Sequence, residues 1–254
     1  LQQGISSIDV QSPHSVSVPG AVDAWDTLLR DHGSIDLDQA LQPAIGYAED
    51  GWAVTPRVAT DWERNVAKLS VDASSAAKYL ANGQAPKAGE TWRLPELAET
   101  LRTIAREGRS GFYEGWVAED IVQHLSGLGG CHALDDLAEM RGEYVTPIST
   151  DYRGHTMFQI PPNGQGITAL MMLNILADYD LASLDPNGVA RLHLETEASR
   201  LAYAARDRYV ADQRQADVPV AHMLSAEFAD EMRAQINPDS AVTAPEATGP
   251  AYRD

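Results

Sequence analysis

The segment Pro161–Gly166, with the sequence PPNGQG, combines the residue types best suited to binding a polar ligand. The two prolines end an extended segment, the two glycines let backbone approach a partner closely, and Asn163 and Gln165 offer both donors and acceptors. An apolar run begins at Ile167, so the segment would lie at a helix N-terminus, where N–H groups bind carboxylates or oxyanions. The residues alone favour a simpler interpretation, a tight strand-to-helix turn with a packing role.

The other residues that could do chemistry are isolated in the sequence. There is no G-x-S-x-G elbow, no Walker loop and no H-E-x-x-H motif. His124 and His132 lie on either side of a predicted helix end, where a solvated or capping histidine is favoured over a metal site. Cys131 and a distant histidine could form a nucleophile–base pair, but no recognised context surrounds the cysteine. We therefore predict neither a metal nor a cofactor.

Carboxylates are numerous, but their spacing argues against a catalytic pair. Glu195 and Glu197 are two residues apart on a predicted helix, so they point away from each other. A dense charge cluster follows at the end of the same helix, and a structural ion-pair network is favoured there over a pocket lining. Its members are Arg206, Asp207, Arg208 and Asp212.

The composition limits the classes of partner. A formal charge of −18 repels phosphate backbones, which argues against a nucleic-acid partner. No run of 18 apolar residues occurs, so we predict no membrane span. The first ten residues, LQQGISSIDV, begin without Met and lack the pattern of a signal peptide. We therefore expect the natural protein to contain further sequence upstream. Its localisation stays open: it could be periplasmic or extracellular, or it could be cytoplasmic.

Hydrophobic periodicity predicts a mainly helical chain with few strands. The predicted helices and helical turns cover about residues 22–33, 37–51, 57–69, 73–81, 95–108, 117–130, 135–142, 167–176, 189–209 and 226–235. The predicted strands are His14–Gly20, Glu143–Ser149 and His155–Ile160. The last stretch, Asn237–Asp254, has no periodicity, and we predict that it forms an extended or mobile tail. Three strands cannot complete a two-layer sheet, so we predict part of a larger fold.

Several patches, in a constant order, resemble the large subunit of the gamma-glutamyltransferase family. The patches are VPGAVDAWDTLLRDHG (18–33), LDQALQPAIGYAEDGWAVTP (37–56), LPELAETLRTIAREGRSGFYEGWVAEDIVQHLSGLGG (94–130), DYRGHTMFQIPPNGQGITALMMLNIL (151–176) and EASRLAYAARDRYVAD (197–212). The Phe-Tyr-x-Gly at Phe112–Gly115 and the Asp-Leu-Ala at Asp136–Ala138 are especially typical. The matches keep family order across nearly all of residues 15–235.

The resemblance implies an α+β fold, the αββα sandwich of the N-terminal-nucleophile hydrolases, which another chain or segment completes. Residues 1–236 would be part of the large subunit of one such domain, mostly helical, and 237–254 a mobile tail leading to an autocleavage site. In the family the precursor cuts itself before a Thr, and that Thr becomes the nucleophile of a small subunit. Asp254 fits the residue before the cut, so the resemblance implies no catalytic residue within this chain and a small subunit from the same precursor as partner.

The strand–helix turn departs from the usual family pattern. Typical transpeptidases have a Pro-rich, double-Ser, double-Gly turn, whereas this Asn-Gly-Gln form resembles the hydrolase and acylase branches. We predict substrate-binding residues at Asn163, Gly164, Gln165 and Gly166, in an amidohydrolase or acyltransferase acting on small gamma-glutamyl or related carboxyl-bearing amides. The alternatives are a cephalosporin-acylase-like or oxamate-type amidohydrolase and a catalytically inactive helical scaffold.

Overall fold

A computed structural model describes residues 8–243 and divides the chain into two compact units between Glu143 and Tyr144. The first unit contains a 3₁₀ turn (Pro13–Ser15), α1 (Ala21–His32), α2 (Leu37–Asp50), β1 (Trp52–Ala53), α3 (Pro56–Arg64), α4 (Val66–Leu69), α5 (Ala73–Tyr79), β2 (Thr91–Trp92), α6 (Pro95–Glu107), α7 (Ser110–Tyr113), α8 (Gly115–Gly127) and α9 (Leu134–Ala138). The second contains β3 (Ile148–Tyr152), β4 (His155–Gln159), α10 (Gly166–Leu176), α11 (Val189–Tyr209), α12 (Val220–Met223) and α13 (Ala226–Arg233). None of the helices within residues 8–243 has the length and apolar character needed to cross a membrane.

The pairing of α2 with α6 forms much of the first unit's core. The Asp36 side chain caps α2 by accepting from Gln39 N at 2.8 Å. Leu41 and Ile45 lie one turn apart on the buried face of α2. Gly51 ends the helix with φ 91°, and a Cβ there would lie 2.7 Å from the carbonyl oxygen of Trp92. Glycine is therefore required where β1 turns to pair with β2.

A buried carboxylate joins distant segments of the first unit. Asp23 Oδ1 accepts from Arg109 Nε at 2.7 Å, and Asp23 Oδ2 accepts from the backbone N–H of Gly142 at 2.6 Å. The Arg109 guanidinium also donates to the carbonyls of Ala138 and Met140, at 2.9 and 2.6 Å. The exposed fraction of the Asp23 side chain is 5%. This ion pair therefore connects α1, the turn after α6 and the segment that follows α9.

Tyr113, from the Phe-Tyr-x-Gly patch, completes this arrangement. Its hydroxyl donates to the carbonyl of Pro19 at 2.6 Å and lies 3.3 Å from the N–H of Asp23. The Arg109 guanidinium carbon lies 4.7 Å from the centroid of the Tyr113 ring. Burial, reinforced by the charge of Asp23, raises the pKa of Tyr113, so the phenol stays protonated and donates.

The second unit is built around α10 and α11. The core joins the two helices to residues of α12 and α13. The buried members on α10 and α11 are Ile167, Met171, Ile175, Leu176, Ala198, Leu201, Ala202, Ala205 and Tyr209. Arg233 of α13 donates to the carbonyls of Asn174 and Ile175 at 3.2 and 3.1 Å. A cation thus satisfies carbonyls at the C-terminal end of α10, where the helix dipole favours positive charge.

Two predicted elements of the first unit were wrong, one wholly and one in part. Residues His14–Gly20 do not form the predicted strand, because side chains rather than a neighbouring strand bind their carbonyls; His132 Nε2 lies 2.8 Å from Val16 O. The helix predicted over 57–69 is interrupted at Asn65, whose amide donates to Asp61 O at 2.7 Å. The sequence also gave no sign of β1, β2 or α12.

The hairpin preceding α10 begins and turns later than the sequence predicted. Pro147 has no N–H, and β3 begins immediately after it at Ile148. Arg153 and Gly154 have φ of 52° and 81°, as a two-residue type I′ turn requires, so Tyr152 pairs with His155 instead of lying in the turn.

The C-terminal stretch is described only as far as Thr243. Asn237 and Ser240 form an antiparallel bridge, and the N–H of Val242 donates to Glu197 at 2.8 Å. Residues 244–254, including the predicted cleavage site at Asp254, lie outside the described residues. The assignment of residues 1–236 to one sandwich domain and of 237–254 to a mobile tail stays a prediction.

We expect Asp23→Ala to lower the free energy of unfolding by about 3 kcal/mol, because it leaves the largely buried Arg109 cation with only the more distant and exposed Glu114 carboxylate. Chemical denaturation of the full-length protein measures the change. The matched control is Asp61→Ala, which removes the carboxylate of an ion pair with Arg57 whose side chains are 83% and 43% exposed. That pair contributes about 0–1 kcal/mol. Equal effects of the two substitutions would show that the Asp23 pair is not a structural centre.

Candidate functional site

The turn from Pro161 to Gln165 leads from β4 directly into α10. Asn163, Gly164 and Gln165 are exposed, and Gly166 begins the helix in a half-buried position. Gln165 is the N-cap residue; its side chain makes no cap hydrogen bond, and its carbonyl accepts from Thr168 N at 3.0 Å. The structure therefore brings the four predicted residues together at a helix N-terminus. Amide groups in this position can bind a carboxylate or an oxyanion.

Close packing fixes the position where α10 begins. A Cβ at Gly166 would lie 2.8 Å from Gln159 Cβ and 3.1 Å from Ile160 O. At Gly164, in contrast, a Cβ would meet nothing within 4 Å. The two glycines thus have different roles: Gly166 lets α10 start directly against the end of β4, and Gly164 belongs to the exposed loop.

A polar residue that the sequence reasoning missed lies one turn into α10. Thr168 is 2% exposed, and among the described residues its hydroxyl has no hydrogen-bond partner. Buried hydroxyls are nearly always paired, so such a group is unusual in a folded core. The available signal was a threonine in the otherwise apolar run that follows PPNGQG.

Polar contacts from several elements hold the rest of α10 in place. Thr150 of β3 hydrogen-bonds the side chain of Asn174, and Asn174 Nδ2 donates to Leu224 O at 3.2 Å. Arg153 in the hairpin turn donates to Tyr179 O at 3.0 Å. The hairpin and the loop before α13 thus bind opposite sides of the Asn174 side chain. These two contacts hold α10, the helix that follows the turn.

A second polar centre, also missed, lies on α11. Glu197 is 2% exposed; its carboxylate accepts from Arg200 Nη1 at 2.9 Å and from Val242 N at 2.8 Å. Burial opposes the charge, but the bonds from Val242 and Arg200 and the nearby His193 outweigh it and lower the pKa of Glu197. Glu197 lies three residues after Leu194 and four before Leu201, a spacing that indicated the buried face.

The prediction that Glu195 and Glu197 do not act as a pair is confirmed, and the predicted charge cluster contains one ion pair among the described contacts. Glu195 pairs with Arg191 at 2.8 Å and shares no partner with Glu197. In the downstream cluster, Arg206 pairs with Asp207 and lies 4.6 Å from the centroid of the Tyr203 ring. Asp212 lies beyond α11 and accepts from Arg214 N at 2.9 Å.

The histidines flanking the end of α8 line one cavity of about 510 Å³ in the first unit. His124 Nε2 lies 3.9 Å from Asp72 Oδ2, while His132 binds the backbone carbonyl of Val16. Cys131 is exposed and free. Within residues 8–243 no group of three or more His, Cys, Asp or Glu side chains is placed to hold a metal ion.

We expect Gly166→Ala to destabilise the protein by about 1–3 kcal/mol, because the added methyl overpacks the contact with Gln159 and Ile160. Alanine's higher helix propensity, worth up to about 1 kcal/mol, opposes only part of this loss. Gly164→Ala is the matched control and should change stability little. Thermal unfolding of the full-length variants measures both; a neutral Gly166→Ala would contradict the close packing described here.

Solved structures resemble this chain over most of its length. The gamma-glutamyltranspeptidase of Helicobacter pylori matches with a TM-score of 0.84 and 28% identity, over 94% of this chain and 69% of that chain. The cephalosporin acylase of Bacillus halodurans matches with a TM-score of 0.83 and 36% identity, over 93% of this chain and 45% of that one. The chain therefore shares the fold of part of these N-terminal-nucleophile hydrolases.

Sequence comparison gives the same family. The glutathione hydrolase-like YwrD proenzyme of Bacillus subtilis is 37% identical over 237 residues, which cover 93% of this chain and 45% of the relative. The chain thus spans less than half the length of this curated relative. The family model for gamma-glutamyltranspeptidase matches residues 2–253. This chain belongs to the gamma-glutamyltranspeptidase family.

Proposed function

We propose that this chain is the large-subunit part of a self-processed amidohydrolase or acyltransferase that cleaves gamma-glutamyl or related carboxyl-bearing amides. The family match over residues 2–253 carries the proposal. The Bacillus subtilis relative is named a proenzyme, which supports maturation by chain cleavage. Asp254 fits the residue before the cut, and a small subunit from the same precursor would complete the αββα sandwich.

The proposed nucleophile is the Thr that would follow Asp254 and become the first residue of the small subunit. Its hydroxyl oxygen bonds to the substrate carbonyl carbon, while its own α-amine takes the hydroxyl proton. Backbone N–H groups stabilise the oxyanion. The carbon–nitrogen bond then breaks, the proton passes to the departing amine, and water or an acceptor amine releases the acyl group from the ester.

The proposed role of Asn163–Gly166 is to bind the carboxylate of the substrate. The exposed Asn163 and Gln165 offer amide donors, and the N-terminus of α10 adds a partial positive charge. The electrostatic field of a chain with a formal charge of −18 repels carboxylates. The partial positive charge at the N-terminus of α10 would oppose this repulsion locally.

The second candidate is an acylase acting on a bulkier acyl amide. The Asn-Gly-Gln turn and the 36% identity to a cephalosporin acylase favour it. Hydrolysis rates of glutathione and of glutaryl amides distinguish the two candidates. A preference for glutathione with strong stimulation by an acceptor amine would count against the acylase.

We expect the full-length wild-type protein to hydrolyse gamma-glutamyl or glutaryl amides. Replacing the residue that follows Asp254 by Ala should abolish both chain cleavage and hydrolysis, because the same hydroxyl serves both reactions. Release of the amine product and denaturing electrophoresis measure the two losses. A variant that keeps its activity would contradict the proposed nucleophile; a wild-type protein that is folded but inert would favour the helical scaffold.

We expect Asn163→Ala in the full-length enzyme to raise KM about ten-fold with little change in kcat, as the loss of one hydrogen bond to a charged group predicts. Asn187→Ala is the matched control, because Asn187 is also an exposed residue of an Asn-Gly pair preceding a helix of the same unit. Steady-state kinetics measure both variants. Equal KM values for Asn163→Ala and wild type would exclude a carboxylate contact at Asn163.

A further inference from the structure

Two side chains on one face of α11 hold the segment that leaves α13, and a third supports one of them. Glu197 Oε2 accepts from the N–H of Val242 at 2.8 Å, and Glu197 Oε1 accepts from Arg200 at 2.9 Å. One turn earlier, His193 Nε2 lies 2.8 Å from the carbonyl oxygen of Asn237. We call His193, Glu197 and Arg200 the tail clasp. It binds the C-terminal stretch at two backbone positions, five residues apart.

The position of Glu197 is not explained by stability alone. A carboxylate that is 2% exposed is costly to bury unless each oxygen receives a donor. Arg200 supplies one donor from the same helix, but the other comes from the backbone after α13. A hydrophobic residue would fill this place in the core at no such cost. What the carboxylate adds is a fixed attachment for the segment around Val242.

That segment has little of its own to keep it in place. Residues 237–241 are exposed, and their composition buries almost no apolar surface. Locally, Asp239 N donates to Asn237 Oδ1 at 2.9 Å, and Asn237 bridges to Ser240. These contacts shape a tight turn, while the tail clasp attaches that turn to α11. The path of the chain beyond Val242 therefore starts from a defined point and in a defined direction.

We propose that the tail clasp is a positioning device for self-cleavage, with Glu197 as its central positioning residue. This inference rests on the proposed function, in which water is added across the peptide bond after Asp254 to give a carboxylate on Asp254 and a free amine on the next residue. Asp254 lies twelve residues after Val242, so attachment at Val242 limits the cleavage point to a radius of about 40 Å. With attachment only at Ile236 the limit would be about 60 Å.

The first test variant removes the backbone donor at Val242 and keeps the buried Glu197. Val242→Pro in the full-length precursor removes the N–H that Glu197 accepts and leaves the side chains of α11 unchanged. Ala241→Pro is the matched control, since it introduces the same ring one residue earlier. Glu197→Gln, a substitution of equal size, tests the other side of the contact. Precursors made by cell-free translation are chased, and the appearance of two chains is followed by denaturing electrophoresis.

We expect Val242→Pro and Glu197→Gln to slow cleavage about ten-fold, the factor for losing one hydrogen bond to a charged acceptor. The longer tether that results when the attachment point moves from Val242 to Ile236 would by itself slow cleavage only about two-fold. Ala241→Pro should cleave at close to the wild-type rate. Once mature, the Val242→Pro enzyme should have wild-type kcat and KM, although its Tm falls because the buried Glu197 loses a donor. Slowed cleavage with unchanged kcat and KM separates positioning from a general loss of structure.

The outcomes distinguish this inference from the proposed function. If the wild-type precursor stays uncut, the proposed function fails. If it is cut, and folded Val242→Pro is cut at the same rate, the tail clasp has no role in processing. Equal slowing by Ala241→Pro would also overturn the proposal, because the effect would then come from the proline ring and not from the bond to Glu197.

Discussion

A carboxylate that is buried and charged needs donors, and this requirement organises both units of the chain. In the first unit Asp23 takes its donors from Arg109 and from the N–H of Gly142, one residue before the unit ends at Glu143. In the second unit Glu197 takes them from Arg200 and from the N–H of Val242. In each case one donor is a backbone group of the segment that follows the unit's last helix. Each buried charge therefore attaches that segment to a helix of its own unit.

The candidate site depends on how precisely α10 is placed. Gly166 lets the helix start against the end of β4, Asn174 is bound by β3 and by the Leu224 carbonyl, and Arg233 satisfies the last carbonyls. The exposed amides of Asn163 and Gln165 lie in the turn that leads into this firmly packed helix. This arrangement suits the proposed carboxylate-binding role, since loosely held donors lose affinity through the entropy of ordering. The family relationship gives that role its chemical context.

The sequence predicted what depends on local periodicity and failed where distant contacts decide. The bounds of α11 and the proline start of α6 follow from spacing and helix-start chemistry, and both were predicted. The strand expected at His14–Gly20 is absent because its carbonyls are bound by side chains over ninety residues away in the chain. Pairings such as Asp23 with Arg109 have no periodic signal, so spacing could not reveal them. The burial of Glu197 was also missed, although its spacing from Leu194 and Leu201 indicated the apolar face of α11.

The central claim is that this chain is one product of a precursor that cuts itself after Asp254. The most direct measurement is the N-terminal sequence and intact mass of every polypeptide in the native full-length protein. The account predicts two chains, one ending at Asp254 and the other beginning with Thr. A single intact chain in a folded and active sample, or a second chain beginning with a residue other than Thr, Ser or Cys, would contradict it.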